Sequence, residues 1–206
     1  CAGQNISING NTFVPNDDNG TTGTMDYTQP VSLNFDGNGV APLVLNYFDA
    51  GRMQLHARYN IPLDDGSDTP SGDYMLGSSN NYVVRPFGFD VNVTGNPGAT
   101  DASGGVLGAA GADFDVTTTA VLWQQADDAN NDGVPDGHGT GDTDAGNNTD
   151  LSDNAATPNF GQEASAATAT LTARLDQPSG GVAGTLSGGT GVSGFSGGSA
   201  TTTLQY

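Results

Sequence analysis

The chain has 206 residues, of which 23 are Asp or Glu and four are Arg, so its formal net charge at pH 7 is -19. This excess of negative charge repels nucleic acids and anionic membranes, which excludes both classes of partner. Hydrophobic residues make up 34 % of the chain and form no run of transmembrane length, so we expect no membrane insertion by this segment. The 32 glycines and the scarcity of good helix formers predict short strands and many turns.

This length is sufficient for two β domains, each with its own core. We predict an all-β protein with tandem immunoglobulin-like β-sandwich domains at residues 1–82 and 83–206. The boundary lies near Pro86, which cannot donate a ladder hydrogen bond, so we expect the chain to bend or change sheets there. The second domain carries a long acidic loop, predicted at residues 124–160.

The single cysteine, Cys1, can form no disulfide within the chain. Two explanations stay open: the chain is a fragment with a partner cysteine upstream, or Cys1 is the lipidated first residue of a mature protein. We favour the fragment. The first domain would then lack its N-terminal part, and Thr201–Tyr206 would be an interrupted strand at the truncated end of the second.

Alternation of apolar and polar residues predicts the strands of the first half. The turn D-G-N-G at Asp36–Gly39 is expected to join two of them as a hairpin, and the polar stretch Leu63–Asn81 is predicted to be a long loop. The predicted strands are Gln4–Ile8, Val31–Phe35, Val40–Tyr47 and Tyr47–Tyr59.

The clearest of these strands is Tyr47–Tyr59, because its second half keeps a period of two. One face carries Met53, Leu55, Ala57 and Tyr59, and the opposite face carries Arg52, Gln54, His56 and Arg58. Asp49-Ala50-Gly51, just before these alternating residues, is similar to the D-x-G corner before a central strand of immunoglobulin-like sandwiches. We therefore expect His56 to be a surface residue.

The second half is predicted to alternate strands with glycine-rich loops. The β-branched run Phe114–Trp123 leads directly into the acidic loop. The Gly/Ser-rich tract Ser179–Ser199 is either a flexible linker or an ordered hairpin, and its flanking strands favour the hairpin. The other predicted strands are Tyr82–Val93, Ala167–Leu175 and the terminal Thr201–Tyr206.

The stretch least able to fold alone is Asp127–Asp153, which is rich in Asp, Asn and Gly and has almost no apolar side chains. Such a segment cannot bury enough surface to offset its ordering entropy. A bound cation that neutralises the carboxylates would order it, and Asp is the usual oxygen ligand of calcium loops. We therefore predict that calcium is the cofactor of this loop, with a solvated, disordered loop as the alternative.

The first half of the loop matches the calcium-loop pattern D-x-N-x-D-G-x-x-D. The seventh position contributes a backbone carbonyl, and a later Asp closes the shell. An EF-hand is excluded because Gly139 replaces its bidentate Glu and no helices flank the loop. Without the bidentate Glu, we expect a weaker calcium affinity, with a dissociation constant of roughly 10⁻⁴ to 10⁻³ M. The predicted ligands are Asp128, Asn130, Asp132, Val134, Asp136, Asp142 and Asp144.

The sequence gives little indication of zinc binding, catalysis or a second metal site. His56 and His138 lack a cysteine partner and make a poor zinc site. The carboxylate pairs Asp127–Asp128 and Asp64–Asp65 are the only acid–base candidates, and adjacent residues in a Gly-rich loop are rarely held rigidly enough for catalysis. A second, weaker metal site at Asp64–Asp68 is less favoured than an ordinary solvated loop. We expect the protein not to be an enzyme.

Four phrases together resemble one family. They are Y-F-D-A-G-R-M-Q-L-H-A-R-Y at 47–59, V-V-R-P-F-G-F at 83–89, T-P-N-F-G-Q-E at 157–163 and F-S-G-G-S-A-T-T-T-L-Q-Y at 195–206. In this order they resemble the large β-rich domain of MshQ-like proteins, which are encoded with mannose-sensitive haemagglutinin type IV pilus systems of Gram-negative bacteria. The resemblance implies a secreted or surface-exposed protein associated with a pilus. It transfers no catalytic or binding residues, and the acidic loop is not among its phrases.

Together these features predict an extracellular structural or adhesive component of a pilus or surface fibre, with a loop ordered by calcium. Its expected partners are other fibre subunits, further copies of itself, or a host or surface glycan. The alternative is a secreted carbohydrate-binding module, which needs exposed aromatic side chains as a sugar platform. The candidates for that platform, most of them expected in the core, are Trp123, Tyr47, Tyr74 and Tyr82.

Overall fold

The structure, a computed structural model, describes residues 5–13, 30–64, 66–67, 69–99, 101, 103–137, 149–173, 181–182 and 184–206. The chain divides into two compact units, Cys1–Arg85 (unit 1) and Pro86–Tyr206 (unit 2). Thirteen strands, two short 3-10 helices and no α-helix occur in the described residues, so the protein is all-β, as predicted. Within these ranges no helix has the length and apolar character needed to span a membrane.

Every strand pair in the two units is antiparallel. The strands of unit 1 are β1 (Ile6–Ile8), β2 (Asn11–Phe13), β3 (Leu45–Tyr47), β4 (Gly51–Met53), β5 (His56–Pro62), β6 (Pro70–Ser78) and β7 (Tyr82–Val84). The strands of unit 2 are β8 (Gly88–Val93), β9 (Asp113–Val121), β10 (Ala169–Thr170), β11 (Ser187–Gly188), β12 (Gly191–Val192) and β13 (Ser199–Gln205).

Unit 1 contains a three-stranded sheet in the order β2-β1-β3. Asn9 and Gly10 form the two-residue connection between β1 and β2, and both have a positive φ, of 49° and 80°. Asn-Gly is the dipeptide that tolerates this conformation best, which explains the tight hairpin. Ile6 is buried in the middle of this sheet and anchors it.

The remaining strands of unit 1 form a long two-stranded ribbon, in which β4 pairs with β7 and β5 pairs with β6. The pairing passes from Met53–Tyr82 to His56–Ser78, so two residues on one strand oppose three on the other. The hydrogen bonds of Ser79 bridge this irregularity: its Oγ accepts from the Leu55 N–H at 2.9 Å, and its N–H donates to the Leu55 carbonyl at 2.9 Å.

The prediction of one continuous strand over Tyr47–Tyr59 is therefore wrong, because the extra residue opposite Gln54 and Leu55 interrupts the ladder. An inserted residue breaks the alternation of faces. Met53 and Leu55 are half-buried on the predicted face, whereas Tyr59 is exposed beyond the break. The expected surface position of His56 is confirmed.

The prediction of a loop over Leu63–Asn81 is also wrong, because β6 occupies most of it. Only residues 63–69 connect β5 to β6, and the Leu63 N–H donates to the Thr69 carbonyl at 2.8 Å across this connection. Every residue of β6 is exposed, so neither face shows the alternation that marks a half-buried strand.

The predicted D-G-N-G turn is present, but its flanking strands are mostly absent. The Asp36 carboxylate accepts hydrogen bonds from the backbone N–H groups of Asn38 and Val40, both at 2.9 Å. Val31–Phe35 forms no strand and only Leu45–Tyr47 of the second predicted strand is in a ladder, so this predicted hairpin is wrong. Asp side chains close such turns without help from strands.

Unit 2 is built on a four-stranded sheet in the order β11-β13-β9-β8. Its central strand β9 buries Val116, Thr118 and Ala120 on one face. The partner residues on β13 on this face include Ala200 and Leu204, which are buried as well. The predicted strands Phe114–Trp123 and Thr201–Tyr206 are thus confirmed in their main parts.

A cluster of three phenylalanine rings joins the edge strand β8 to the segments outside the sheet. The ring of Phe160 lies edge-on to Phe89 at 5.5 Å and to Phe195 at 4.8 Å between centroids. Val192 of β12 and Ala169 of β10 are paired and buried on the second, two-stranded sheet. The core of unit 2 therefore lies between a larger and a smaller sheet.

Pro86 separates β7 from β8, and these strands pair with β4 and β9 respectively, so the chain changes sheets there as expected.

Strand β10 covers only two residues of the predicted Ala167–Leu175, whose last two residues lie outside the described ranges. In the tract Ser179–Ser199, β11 pairs with β13 and β12 with β10. The predicted hairpin is wrong because each short strand completes a different sheet.

Candidate metal centre

The acidic loop leaves and rejoins the sheet at the end of β9. After Val121 the Leu122 N–H donates to the Ala155 carbonyl at 2.8 Å, and the Asn154 side chain donates to the Leu122 carbonyl at 2.9 Å. Between these points the loop forms two 3-10 helices, Gln125–Asp127 and Leu151–Asp153. Both ends of the loop are therefore held by one strand.

A close contact with β8 also holds the loop. A Cβ atom at Gly88 would lie 3.0 Å from Leu151 Cδ1 and 3.1 Å from Pro135 Cγ. Leu151 is buried together with Phe87 and Val121. Any side chain at this position would require Leu151 and Pro135 to shift, so the glycine favours the close approach of β8 to both halves of the loop. The sequence gives no sign of this contact beyond the glycine itself.

Asp128, the first position of the calcium-loop pattern, points into the loop and is only 1 % exposed. Its Oδ2 accepts from the indole Nε1–H of Trp123 at 2.7 Å and from the Gly133 N–H at 3.0 Å, and its Oδ1 accepts from the Asp132 N–H at 2.9 Å. The Asp128 carboxylate thus holds the backbone of the next five residues in a turn.

These contacts keep Asp128 ionised. Burial raises the pKa of this carboxyl and is the largest single influence on it. The hydrogen bonds from Trp123, Gly133, Asp132 and Asn131 together outweigh burial and hold the pKa of Asp128 below its ordinary value. Asp128 therefore presents a negative charge inside the loop at neutral pH.

The third and fifth positions of the calcium-loop pattern lie at the surface, and each side chain accepts a hydrogen bond from the backbone N–H two residues further on. Asn130 Oδ1 accepts from the Asp132 N–H at 2.9 Å, and Asp132 Oδ1 accepts from the Val134 N–H at 2.8 Å. Gly133 has a φ of 77°, a conformation that side-chain-bearing residues rarely adopt. The side-chain oxygens of both predicted ligands thus turn back onto the loop, as short polar side chains do in tight turns.

Asp136, the ninth position, is 1 % exposed and lies against Asp127, which is 6 % exposed. The Asp136 N–H donates to the Asp127 carbonyl at 2.9 Å, and Asp136 Oδ2 accepts from the Ala129 N–H at 3.1 Å. Asp136 Oδ1 and Asp127 Oδ2 are both buried, with no hydrogen-bond partner among the described residues. Buried polar atoms are almost always paired, so these two oxygens need an explanation.

The described residues do not assemble the predicted set of metal ligands. Among them, no three His, Cys, Asp or Glu side chains lie close enough together to hold a metal ion. Asp128 and Asp136 are buried in one turn with the Val134 segment between them, and Asn130 and Asp132 are exposed. Asp142 and Asp144, the predicted closing ligands, lie outside the described residues, as does His138. The donors present are all oxygen atoms, which suits calcium.

The aromatic candidates for a sugar platform divide into two pairs. Tyr74 is 54 % and Trp123 48 % exposed, so these two are not core residues. Tyr47 and Tyr82 are half-buried, and burial raises the pKa of the Tyr82 hydroxyl. The role of Trp123 as a hydrogen-bond donor to the loop was not predicted, because its position at a strand end suggests only packing.

Family models match both units of the chain. The model described as "Domain of unknown function (DUF6701), first Ig-like domain" matches residues 1–78. The model described as "DUF6701, second domain" matches residues 85–205, which is more than half of the chain. No curated protein and no solved structure matches. The predicted tandem arrangement and immunoglobulin-like fold class agree with these two matches.

Proposed function

Because the chain belongs to the DUF6701 family, we propose that it is a non-enzymatic, extracellular structural or adhesive component of a pilus or surface fibre, whose acidic loop is ordered by calcium. The association with a pilus at the Gram-negative cell surface is proposed from the resemblance of four sequence phrases to MshQ-like proteins. Calcium binding is proposed from the chemistry of the loop.

The observation that carries the calcium proposal is that two buried oxygens, Asp136 Oδ1 and Asp127 Oδ2, have no donor among the described residues. A buried carboxylate without a compensating partner is strongly unfavourable, and a bound cation compensates it. Asp128, whose hydrogen bonds hold its pKa below the ordinary value, adds a negative charge beside this segment. Calcium accepts six to eight oxygen ligands, so the shell would also need carbonyl oxygens and later carboxylates, for which the sequence predicts Asp142 and Asp144 outside the described residues.

A titration of tryptophan fluorescence tests this proposal. Trp123 is the only tryptophan of the chain and is hydrogen-bonded to Asp128, so its emission reports on the loop directly. We expect a saturable change with a midpoint of roughly 0.1 to 1 mM calcium, the range of extracellular modules. The signal should return on addition of a chelator.

Two variants separate a specific site from general charge effects. Asp132→Asn removes a predicted ligand and should raise the midpoint at least tenfold. Asp153→Asn removes the same charge at an exposed position of the second 3-10 helix and should leave the midpoint unchanged. Equal effects of the two substitutions, or no calcium response in the parent chain, would refute the calcium site.

The second candidate function is a carbohydrate-binding module, which the exposure of Tyr74 favours. The guanidinium carbon of Arg58 lies 5.3 Å from the centroid of the Tyr74 ring, an arrangement that holds the ring in place. On a glycan array, loss of binding in Tyr74→Ala with an unchanged melting temperature would support this function. An array without binding by the parent chain would remove it.

A further inference from the structure

Asp127 lies one position before the calcium-loop pattern, so the spacing of that pattern does not include it among the ligands. It is nevertheless buried, at the end of the 3-10 helix Gln125–Asp127. Its N–H donates to the Gln124 carbonyl at 3.2 Å, and its carbonyl accepts from the Asp136 N–H at 2.9 Å. Hydrogen bonds from both backbone groups therefore fix Asp127 in its buried position.

The described residues of unit 2 offer no positively charged side chain to this carboxylate. They contain no Lys, Arg or His, because Arg174 and His138 both lie outside the described ranges. In the same part of the chain, Asp127 Oδ2 and Asp136 Oδ1 are buried without a donor. Burying two uncompensated carboxylates is strongly unfavourable, and one divalent cation carries the charge that neutralises both.

Asp128, the first position of the pattern, differs from Asp127 in this respect. Both of its oxygens accept hydrogen bonds, from the indole of Trp123 and from the backbone N–H groups of Asp132 and Gly133. Such charge-assisted hydrogen bonds compensate a buried carboxylate without a cation. Among the described carboxylates of the loop, the need for a cation is therefore concentrated at Asp127 and Asp136.

We infer that Asp127 is a ligand of the calcium ion in this loop and binds it together with Asp136. The hydrogen bond between their backbones brings the two residues side by side, although they are well separated in the sequence. Among the described residues no third acidic, histidine or cysteine side chain joins them, so carbonyl oxygens, water and later residues would fill the rest of the shell. This inference rests on the proposed calcium site and adds to it a ligand from outside the pattern.

A calcium titration of Asp127→Asn tests this assignment. The substitution removes the charge and keeps the size of the side chain, while Trp123 and Asp128 stay in place to report on the loop. We expect the midpoint of the tryptophan fluorescence change to rise roughly tenfold or more, because calcium affinity depends on the number of charged ligands. Asp153→Asn is the matched control, since it removes the same charge from an exposed position of the loop and should leave the midpoint unchanged.

A second measurement, made in chelator, tests whether the two carboxylates are neighbours. Asp127→Asn and Asp136→Asn should each raise the melting temperature, because each removes an uncompensated buried charge. In the double variant the rise should be smaller than the sum of the two single rises, since the repulsion between the carboxylates is already lost with the first substitution. Full additivity would show that the two carboxylates do not meet, and would overturn the inference.

Two further outcomes would overturn it. One is a calcium midpoint in Asp127→Asn that equals that of the parent chain. The other is an Asp127→Asn variant that is less stable than the parent chain in chelator. That loss would mean that a donor from outside the described ranges already compensates the Asp127 carboxylate.

The parent chain and Asp132→Asn separate this inference from the proposed function. A parent chain without a calcium response would refute the calcium site, and the assignment of Asp127 with it. A parent response that is weakened by Asp132→Asn but not by Asp127→Asn would keep the calcium site and refute only the role of Asp127. A response weakened by Asp127→Asn and not by Asp153→Asn supports both.

Discussion

At the scale of single residues, the loop is organised by carboxylates that differ in how well they are paired. Asp128 receives hydrogen bonds on both oxygens, whereas Asp136 has one oxygen paired and one buried without a donor in the described part of the chain. Paired and unpaired buried charges have opposite effects on stability. This difference makes Asp136 the most informative position to change.

Asp136→Asn should have effects of opposite sign with and without calcium. In chelator, the neutral amide removes an uncompensated charge while its oxygen still accepts from the Ala129 N–H, so the melting temperature should rise. In calcium, the lost ligand should leave the variant less stable than the parent chain. Thermal unfolding in both conditions measures this crossover. A variant that is less stable than the parent chain by the same amount in both would contradict it.

Part of the site was predictable from the sequence at this scale. The spacing D-x-N-x-D-G-x-x-D predicts inward side chains at its first, third and fifth positions and a sharp turn at its glycine. Asp128 and Gly133 have these properties, whereas Asn130 and Asp132 are exposed. The burial of Asp127 and the hydrogen bond from Trp123 were not predictable. They depend on how the 3-10 helix Gln125–Asp127 turns the chain after β9, which no short-range pattern encodes.

At the scale of elements, strands with a buried face were predictable and strands without one were not. Strand β9 alternates buried and half-buried residues, and its sequence predicts it. Strand β6 is exposed along its whole length, so its polar sequence indicates a loop. Hydrophobic periodicity reports burial on one face, and a two-stranded ribbon open on both faces gives no such signal. The break at Gln54 and Leu55 was not predictable either. The extra residue that causes it lies on the partner strand, so it does not change the alternation of apolar and polar residues at 52–59.

The contact of β8 with the acidic loop leads to an element-scale prediction. In Gly88→Ala the added methyl would press on Leu151 and Pro135, so unit 2 should lose about 1 to 3 kcal/mol of unfolding free energy. Urea unfolding followed by Trp123 fluorescence measures this loss. Gly191→Ala in β12 is the control, because a Cβ there would meet no described atom within 4 Å. Equal losses in the two variants would show that the loop does not pack on β8 as described.

At the scale of the whole molecule, the main feature is the excess of negative charge. The net charge of -19 opposes the approach of one copy to another. Calcium bound to the acidic loop would lower this repulsion as well as order the loop. Together with the tandem domains, a bound cation would support the proposed role in a surface fibre.

The most direct test of this account is the melting temperature of unit 2, followed by Trp123 emission, in 10 mM calcium and in chelator. With a dissociation constant of roughly 0.1 to 1 mM, calcium should add about 1.4 to 2.7 kcal/mol to the unfolding free energy. For a domain of this size, that corresponds to a rise of roughly 5 to 11 °C. Magnesium at the same concentration should give a smaller rise, because it demands a tighter octahedral shell. Equal melting temperatures in calcium and chelator would contradict the central claim that calcium orders the acidic loop.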